Sequence, residues 1–161
     1  MLKFKLLIAV AAISTLLALS FAMADDQEEA ELQKVFETGF AAINADDMAA
    51  FAAIHVQDET TVTIGPVEGD LNKGWTASKK STQGFMASPL KMITPENVAI
   101  KVNGDAAWGV WTFMTEMSMG EETMTSANRL TLVFERVDGK WLVSHSHVSV
   151  GMPPPPVNSE K

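Results

Sequence analysis

Two histidines near the end of the chain, His145 and His147, have the side chains best suited to move a proton or hold a polar ligand. They lie two residues apart in an alternating stretch, so in a β-strand both point to the same face. An imidazole changes charge near neutral pH and has two ring nitrogens that need partners. The pair therefore predicts a polar end to an apolar pocket or, equally, two structural histidines that tie a strand to a helix. They are the candidate catalytic residues, although no reaction follows from them.

The turn before these histidines predicts the face on which they lie. Asp138-Gly139 is typical of a two-residue type I′ hairpin turn. The opposed pairs would then be Phe134 with Val143, Leu132 with His145, and Leu130 with His147. Because that face is otherwise apolar, we expect both histidines to point to the interior. Arg129 points outward in this register, although a single β-bulge would reverse it.

Two tryptophans complete the candidate binding residues, and two polar residues that follow a predicted helix lie outside that set. Trp111 and Trp75 are candidates for pocket walls, with core packing as the more frequent role for such side chains. Together with His145, His147 and Arg129 they form the predicted ligand-binding set. His55 and Asp58 could reach the mouth of a pocket, but we expect them to form a solvated helix end.

Metal binding is an alternative for two groups of residues. The His-x-His motif at 145–147 can chelate an ion, but no third ligand follows at a recognisable spacing. Thioethers suit Cu(I), and four methionines surround the turn at Gly120, namely Met114, Met117, Met119 and Met124. In a hairpin turning there, Met117 faces Met124. Methionine also fills irregular apolar surface at a hairpin or subunit contact, and we adopt that interpretation. We predict no bound metal and no cofactor.

The composition excludes several classes of protein. The 161 residues include no cysteine, which excludes a disulfide scaffold, a thiol nucleophile, a cysteine-ligated zinc site and a lipoprotein anchor. The formal net charge is −8, and it becomes −10 if Lys3 and Lys5 are removed with a leader, so we expect no nucleic-acid partner. The sequence has no Walker loop, dinucleotide fingerprint, H-E-x-x-H motif or nucleophile elbow.

Residues 1–24 have the pattern of a secretory signal peptide. Lys3 and Lys5 precede an apolar stretch from Leu6 to Leu19, and Ala22-Met23-Ala24 is a small-x-small cleavage site. A membrane anchor is the alternative, but the apolar run is borderline in length for a span. We expect cleavage after Ala24 and a mature chain without a membrane partner. A cysteine-free exported chain fits a bacterial periplasm.

The mature domain, predicted over residues 25–151, begins with helices. One helix over about residues 26–44 places five apolar side chains on one face, namely Leu32, Val35, Phe36, Phe40 and Ile43. Met48, Phe51 and Ile54 predict a second, shorter helix, and residues 75–87 a third. These helices must pack against whatever sheet the rest of the chain forms.

The second half of the domain alternates as strands joined by tight turns. The predicted strands are Thr60–Ile64, a strand from about Asn97 to Val102, Trp108–Met119, Thr123–Arg136 and Trp141–Val150. Residues 69–74 are expected to be loop, and the Pro-rich residues 152–161 a disordered tail. The pattern predicts an α+β fold, with an antiparallel sheet packed on about three N-terminal helices.

The stretch 128–149 resembles a known family. Its R-x-T, D-G-x-W and H-x-H-x-S motifs are similar to those of the SnoaL-like branch of the nuclear transport factor 2-like superfamily. The association domains of calcium/calmodulin-dependent kinases end in a similar way. Gly104-Asp105-Ala106-Ala107 and Gly74 are supporting matches. The resemblance covers essentially all of the mature chain but is not specific for any activity.

This resemblance implies a cone-shaped curved sheet with a pocket inside and dimerisation through the sheet. It implies that His145, His147 and Arg129 lie at or near the pocket, with Arg129 as an anchor for an acidic ligand group. The ketosteroid isomerase branch uses an Asp base just before a Pro and a Tyr in its oxyanion hole. Here Gly65 precedes Pro66, and the chain has no tyrosine, so that isomerase chemistry is not predicted.

Taken together, these features predict an exported, homodimeric domain that binds a small, partly apolar ligand. One alternative is an isomerase, lyase or hydrolase that uses His145 or His147 as acid-base. The others are periplasmic copper binding through the His-x-His motif or the methionines, and an oligomeric scaffold without a ligand.

Overall fold

The computed structural model describes residues 26–119 and 122–151. The predicted signal peptide and the predicted Pro-rich tail lie outside these residues. Helix α1 covers residues 26–44 of the described chain, α2 is Met48–Ala53, and α3 is Trp75–Met86. All three predicted helices are therefore confirmed. Within the described residues, no helix is long and apolar enough to cross a membrane.

Six strands form one sheet. They are β1 (Val62–Ile64), β2 (Leu71–Lys73), β3 (Leu90–Asn103), β4 (Ala106–Met119), β5 (Glu122–Val137) and β6 (Lys140–Val150). The strand order is β2-β1-β6-β5-β4-β3, and the sheet is curved and unclosed. This agrees with the α+β fold predicted from the pattern and with the cone that the family resemblance implies. One neighbouring pair, β1 with β6, is parallel, so the sheet is mixed and not wholly antiparallel as expected.

Two sequence-based boundaries are wrong. Residues 71–73, expected as loop, form β2 by pairing antiparallel with β1. Strand β3 begins at Leu90 and not near Asn97, and it accommodates Pro95 at a shift in its pairing with β4. A proline cannot donate to the ladder, so such an irregularity is where a strand tolerates it.

Helix α1 lies on the concave face of the sheet, as its apolar stripe requires. Leu32 and Phe36 are fully buried, and the ring of Phe36 stacks on Trp111 with centroids 4.5 Å apart. Near the end of the helix, the Asn44 amide donates to the Met92 carbonyl at 2.8 Å and accepts from the Met92 N–H at 2.9 Å. These two hydrogen bonds between the Asn44 side chain and the Met92 backbone join α1 to the first residues of β3.

The β5–β6 hairpin begins as predicted and then departs from prediction. Asp138 and Gly139 both have positive φ, as a type I′ turn requires, and Phe134 pairs with Val143. A β-bulge follows, in which Ser144 is the extra residue of β6. The pairs beyond it are Val133 with His145, Leu132 with Ser146, Thr131 with His147 and Leu130 with Val148.

The predicted register beyond this point is therefore wrong by one residue. A shift of one residue turns every later side chain of a strand to the other face. His145 and His147 consequently lie on the convex face, and Ser146 and Val148 take the concave face. Arg129 pairs with Ser149 and lies on the convex face, as the register argument expected.

Candidate functional site

A cavity of about 350 Å³ lies between the helices and the concave face of the sheet. All three helices and all six strands contribute to its wall. Most of the lining is aliphatic or aromatic, with Phe36 and Phe40 of α1 facing Leu130 and Leu132 of β5. The volume is within the range of small-molecule sites, and an apolar wall with few polar groups is typical of them.

The position of His55, after the end of α2, places an imidazole in this wall. Only 5 % of the residue is exposed, and its ring stacks on Phe51 with centroids 4.0 Å apart. Its Nδ1 lies 2.7 Å from the Phe51 carbonyl oxygen. A carbonyl only accepts, so Nδ1 carries the proton and Nε2 of the neutral ring is an acceptor. Backbone bonds join Val143 to Ile54 and Val56, which holds this segment against β6.

Burial determines the charge of His55. Desolvation lowers the pKa of the imidazole from its ordinary 6.5 to about 4, against the smaller opposing effect of the hydrogen bond to Phe51. His55 is therefore neutral at pH 7 and presents a fixed hydrogen-bond acceptor. The expected solvated helix end is wrong for His55, because the residue is buried. It is confirmed for exposed Asp58, whose pKa is lowered by hydrogen bonds from the Thr60 hydroxyl and N–H.

Asp70 is the acidic group of the cavity wall. Its carboxylate lies directly over Gly65, where a side chain would collide with it unless Asp70 moved. The Gly65 N–H donates to the Asp70 carbonyl at 2.8 Å, and the Ser81 hydroxyl lies 3.4 Å from Oδ1. Among the described residues that line the cavity, none is lysine or arginine. The described part of the wall therefore has an acidic group and no cationic counterpart.

Asn128 adds a polar group on β5. It is 5 % exposed, and its Nδ2 donates to the Thr115 hydroxyl at 3.1 Å and to the Ser126 carbonyl at 2.9 Å. These bonds engage the amide nitrogen and leave Oδ1 as an acceptor in the cavity wall.

The sequence reasoning missed Asp70 and Asn128 and placed His55 in solvent. One signal existed for His55, which lies four residues after Phe51 and hence on the apolar face of the short helix. Asp70 carries no such signal, because its approach to the cavity depends on the unpredicted strand β2.

His145, His147 and Arg129 do not line the cavity. The expectation that the histidines point into the interior is wrong because of the bulge at Ser144. All three residues lie on the convex face, where Arg129 and His147 are exposed and His145 is half-buried. The structure thus places all three on one face of the sheet, opposite the cavity.

The two tryptophans of the predicted set lie behind the cavity wall. Trp111 is fully buried in the core, and its Nε1 donates to Gln33 at 3.0 Å. Gly109 provides the space for the indole, since a Cβ there would collide with the ring. Trp75, at the start of α3, lies with its ring centroid 5.7 Å from that of His55. Neither indole lines the cavity.

The methionine group is divided between the two faces of the sheet. Met117 pairs with Met124 across the β4–β5 hairpin, as predicted. Met114 pairs with Ala127 and lies on the opposite face by the alternation of β4. Within residues 26–119 and 122–151, no three histidine, aspartate or glutamate side chains are grouped as a metal site of such ligands would require.

Comparison with known proteins gives a family and a fold. A family model described as a SnoaL-like domain matches residues 32–153. A nuclear transport factor 2-like protein from Streptomyces avermitilis, named provisionally as a dehydratase, has a TM-score of 0.71 and 14 % identity over 80 % of this chain and 99 % of its own. No match was found among curated protein sequences.

Two further structures have the same fold. One, from Xanthomonas campestris, is named provisionally as a calcium/calmodulin-dependent protein kinase II association domain. It has a TM-score of 0.63 and 21 % identity over 76 % of this chain and 86 % of its own. The other, a ketosteroid isomerase-like protein from Erwinia carotovora, has a TM-score of 0.65 and 15 % identity over 77 % of this chain and 96 % of its own. At these identities the likeness concerns the fold alone.

Proposed function

Since this chain belongs to the SnoaL-like family of the nuclear transport factor 2-like superfamily, we propose that it is a binding domain for a small, largely apolar molecule held in the interior cavity. The observation that carries the proposal is the cavity of about 350 Å³, with aromatic and aliphatic walls and a few polar groups. Burial of apolar ligand surface supplies the affinity, and the polar groups orient the ligand.

A neutral fluorescent probe, N-phenyl-1-naphthylamine, tests this proposal. Ser146 and Ser149 lie on the same strand, but Ser146 lines the cavity and Ser149 lies on the convex face. Ser146→Phe should fill part of the cavity and weaken probe binding by about tenfold or more. Ser149→Phe is the matched control and should leave the Kd within about twofold. Equal effects of the two variants, or no probe binding to the unmodified protein, would refute the cavity as the binding site.

The acid-base alternative through His145 or His147 has no support from the cavity, because neither residue lines it. Copper binding through the methionines has little support, because they are divided between two faces of the sheet. The names of the similar structures include a provisional dehydratase and an isomerase-like protein, so the fold is compatible with catalysis. No reaction is assigned to this chain.

Export and dimerisation are part of the proposal. Export is supported by the cleavage site Ala22-Met23-Ala24 after an apolar stretch. A homodimer through the convex face is supported by Trp108, which is 45 % exposed there, and by Val137, which is 40 % exposed. Native mass spectrometry of the untagged, exported protein should give a subunit that begins at Asp25 and a dimer. Trp108→Glu should convert the dimer to a monomer.

A further inference from the structure

We propose that the cavity selects a neutral, mostly apolar molecule that carries a hydroxyl or N–H hydrogen-bond donor, and that it rejects anions. The inference rests on the proposed function and specifies its ligand class. It depends on two acceptor groups in the cavity wall, His55 and Asp70, and on the absence of lysine and arginine from the described lining residues.

The first step concerns the free nitrogen of His55. Nδ1 is engaged with the Phe51 carbonyl at 2.7 Å, so Nε2 carries the lone pair. No hydrogen bond from a described residue reaches Nε2. Among the described residues, Nε1 of Trp141 is the one side-chain nitrogen or oxygen that is fully enclosed and has no hydrogen-bond partner, so Nε2 of His55 is not fully enclosed. Because His55 lines the cavity, we infer that Nε2 is exposed to the cavity, where a ligand donor can satisfy it.

The protonation state of His55 keeps this preference constant. Burial lowers the pKa of the imidazole to about 4, so near neutral pH the ring does not become a cation that could hold a carboxylate. A ligand group that only accepts hydrogen bonds would face the Nε2 lone pair and leave it unsatisfied. An unsatisfied acceptor in an apolar wall costs binding free energy.

The second acceptor lies at the other end of the cavity. His55 bridges to Val143, whereas Ile64 pairs with His147, four residues further along β6. At about 3.3 Å per residue the two positions are roughly 13 Å apart. The Asp70 carboxylate lies over Gly65, next to Ile64, and is half-buried. An anionic ligand would therefore meet a like charge, and none of the described lining residues is a lysine or arginine that could offset it.

Other polar groups of the wall fit this selection. The Ser81 hydroxyl is directed to Asp70, and the Asn128 amide nitrogen is engaged with Thr115 and Ser126. The remaining hydroxyls can donate or accept, so they do not favour an anion. Asn72 also lines the wall, and its uncharged amide carries both a donor and an acceptor, so it does not select for an anion either. The expected role of Arg129 as an anchor for an acidic ligand group has no counterpart in the cavity, because Arg129 lies on the convex face.

Three probes of similar size test the inference by isothermal titration calorimetry at pH 7. 2-Naphthol carries a donor, 2-methoxynaphthalene only accepts, and 2-naphthoate is an anion. The unmodified protein should bind 2-naphthol about tenfold more tightly than 2-methoxynaphthalene, and 2-naphthoate about a hundredfold more weakly than 2-naphthol.

Variants assign each preference to its residue. His55→Phe keeps an aromatic ring and removes the acceptor, so the two neutral probes should bind equally. His147→Phe, on the convex face, is the matched control and should keep the tenfold preference. Asp70→Asn should strengthen 2-naphthoate binding several-fold and leave the preference between the neutral probes unchanged. Circular dichroism establishes that each variant is folded.

The outcomes separate this inference from the proposed function. Equal binding of all three probes to the unmodified protein would overturn the donor preference and leave the cavity as a binding site. Tighter binding of 2-naphthoate, or a preference that persists in His55→Phe, would also overturn it. If no probe binds and N-phenyl-1-naphthylamine also fails, the proposed function itself is wrong and the ligand class falls with it.

Discussion

Beyond Ser144, the concave and convex faces of β6 have exchanged the residues that the sequence pattern assigned to them. The concave face carries Val143, Ser146 and Val148, which line the cavity, whereas His145 and His147 lie on the convex face. The difference arises from one extra residue, Ser144, at the bulge. Two histidines at strand spacing thus indicate a shared face, but the register decides which face it is.

The same contrast distinguishes the histidines themselves. His55 is buried, stacked on Phe51 and fixed in one tautomer by a carbonyl, whereas His147 is exposed on the sheet surface. The His-x-His pair therefore lies on the face of the sheet opposite the cavity, whereas His55, which belongs to no motif, is part of the cavity wall. A motif identifies a family more securely than it identifies a site.

The largest expected effect compares adjacent residues of β5 on the two faces. Phe134 is fully buried against Trp111, whereas Val133 is half-buried on the convex face. Phe134→Ala should lower the free energy of unfolding by about 3–5 kcal/mol because it leaves a cavity in the core. Val133→Ala should cost about 1 kcal/mol. Similar losses in urea denaturation would mean that the convex face is as tightly packed as the core.

The pH dependence of stability provides a second test. The pKa of His55 is about 4 in the folded protein and 6.5 when exposed, so below pH 6.5 the unfolded chain binds a proton that the folded protein does not. Above pH 6.5 the titration of His55 does not lower the free energy of unfolding. As the pH falls from 6.5 towards 4, protonation of the unfolded chain lowers that free energy, by at most about 3 kcal/mol.

Unfolding free energies at pH 7, 6 and 5 measure this loss. His55→Phe removes the group and should give a shallower fall than the unmodified protein. Trp75→Phe changes the neighbouring ring but keeps the imidazole, so it should retain the full slope. An identical slope in His55→Phe would show that His55 does not titrate from a buried state.

The smallest effect is expected on the convex face. Arg129 is exposed, so Arg129→Ala should change the free energy of unfolding by less than about 0.5 kcal/mol. The same variant should bind N-phenyl-1-naphthylamine with a Kd within about twofold of the unmodified protein. A tenfold loss would restore the anchoring role that the family resemblance implies for Arg129.

Much of the fold was predictable because its signals are local. The apolar stripe of α1, the Asp138-Gly139 turn and the alternation of β4 and β5 each depend on residues near in sequence. The candidate site was less predictable. Strand β2 exists because it pairs with β1, and Asp70 lies at the cavity because β2 follows it, so neither can be inferred from a local pattern.

By itself, the sequence determined the three helices, the hairpin order of the long strands, the type I′ turn and the family of the chain. Only the tertiary structure decided the side of the sheet on which each polar group of β6 lies. Backbone bonds from Val143 to Ile54 and Val56 join β6 to the segment after α2, and the bulge follows directly at Ser144. Such a bulge depends on the curvature and packing of the whole sheet, and the hydrophobic periodicity of one strand does not predict it. The same contacts bury His55, which is why the cavity wall contains a histidine that no sequence motif predicts.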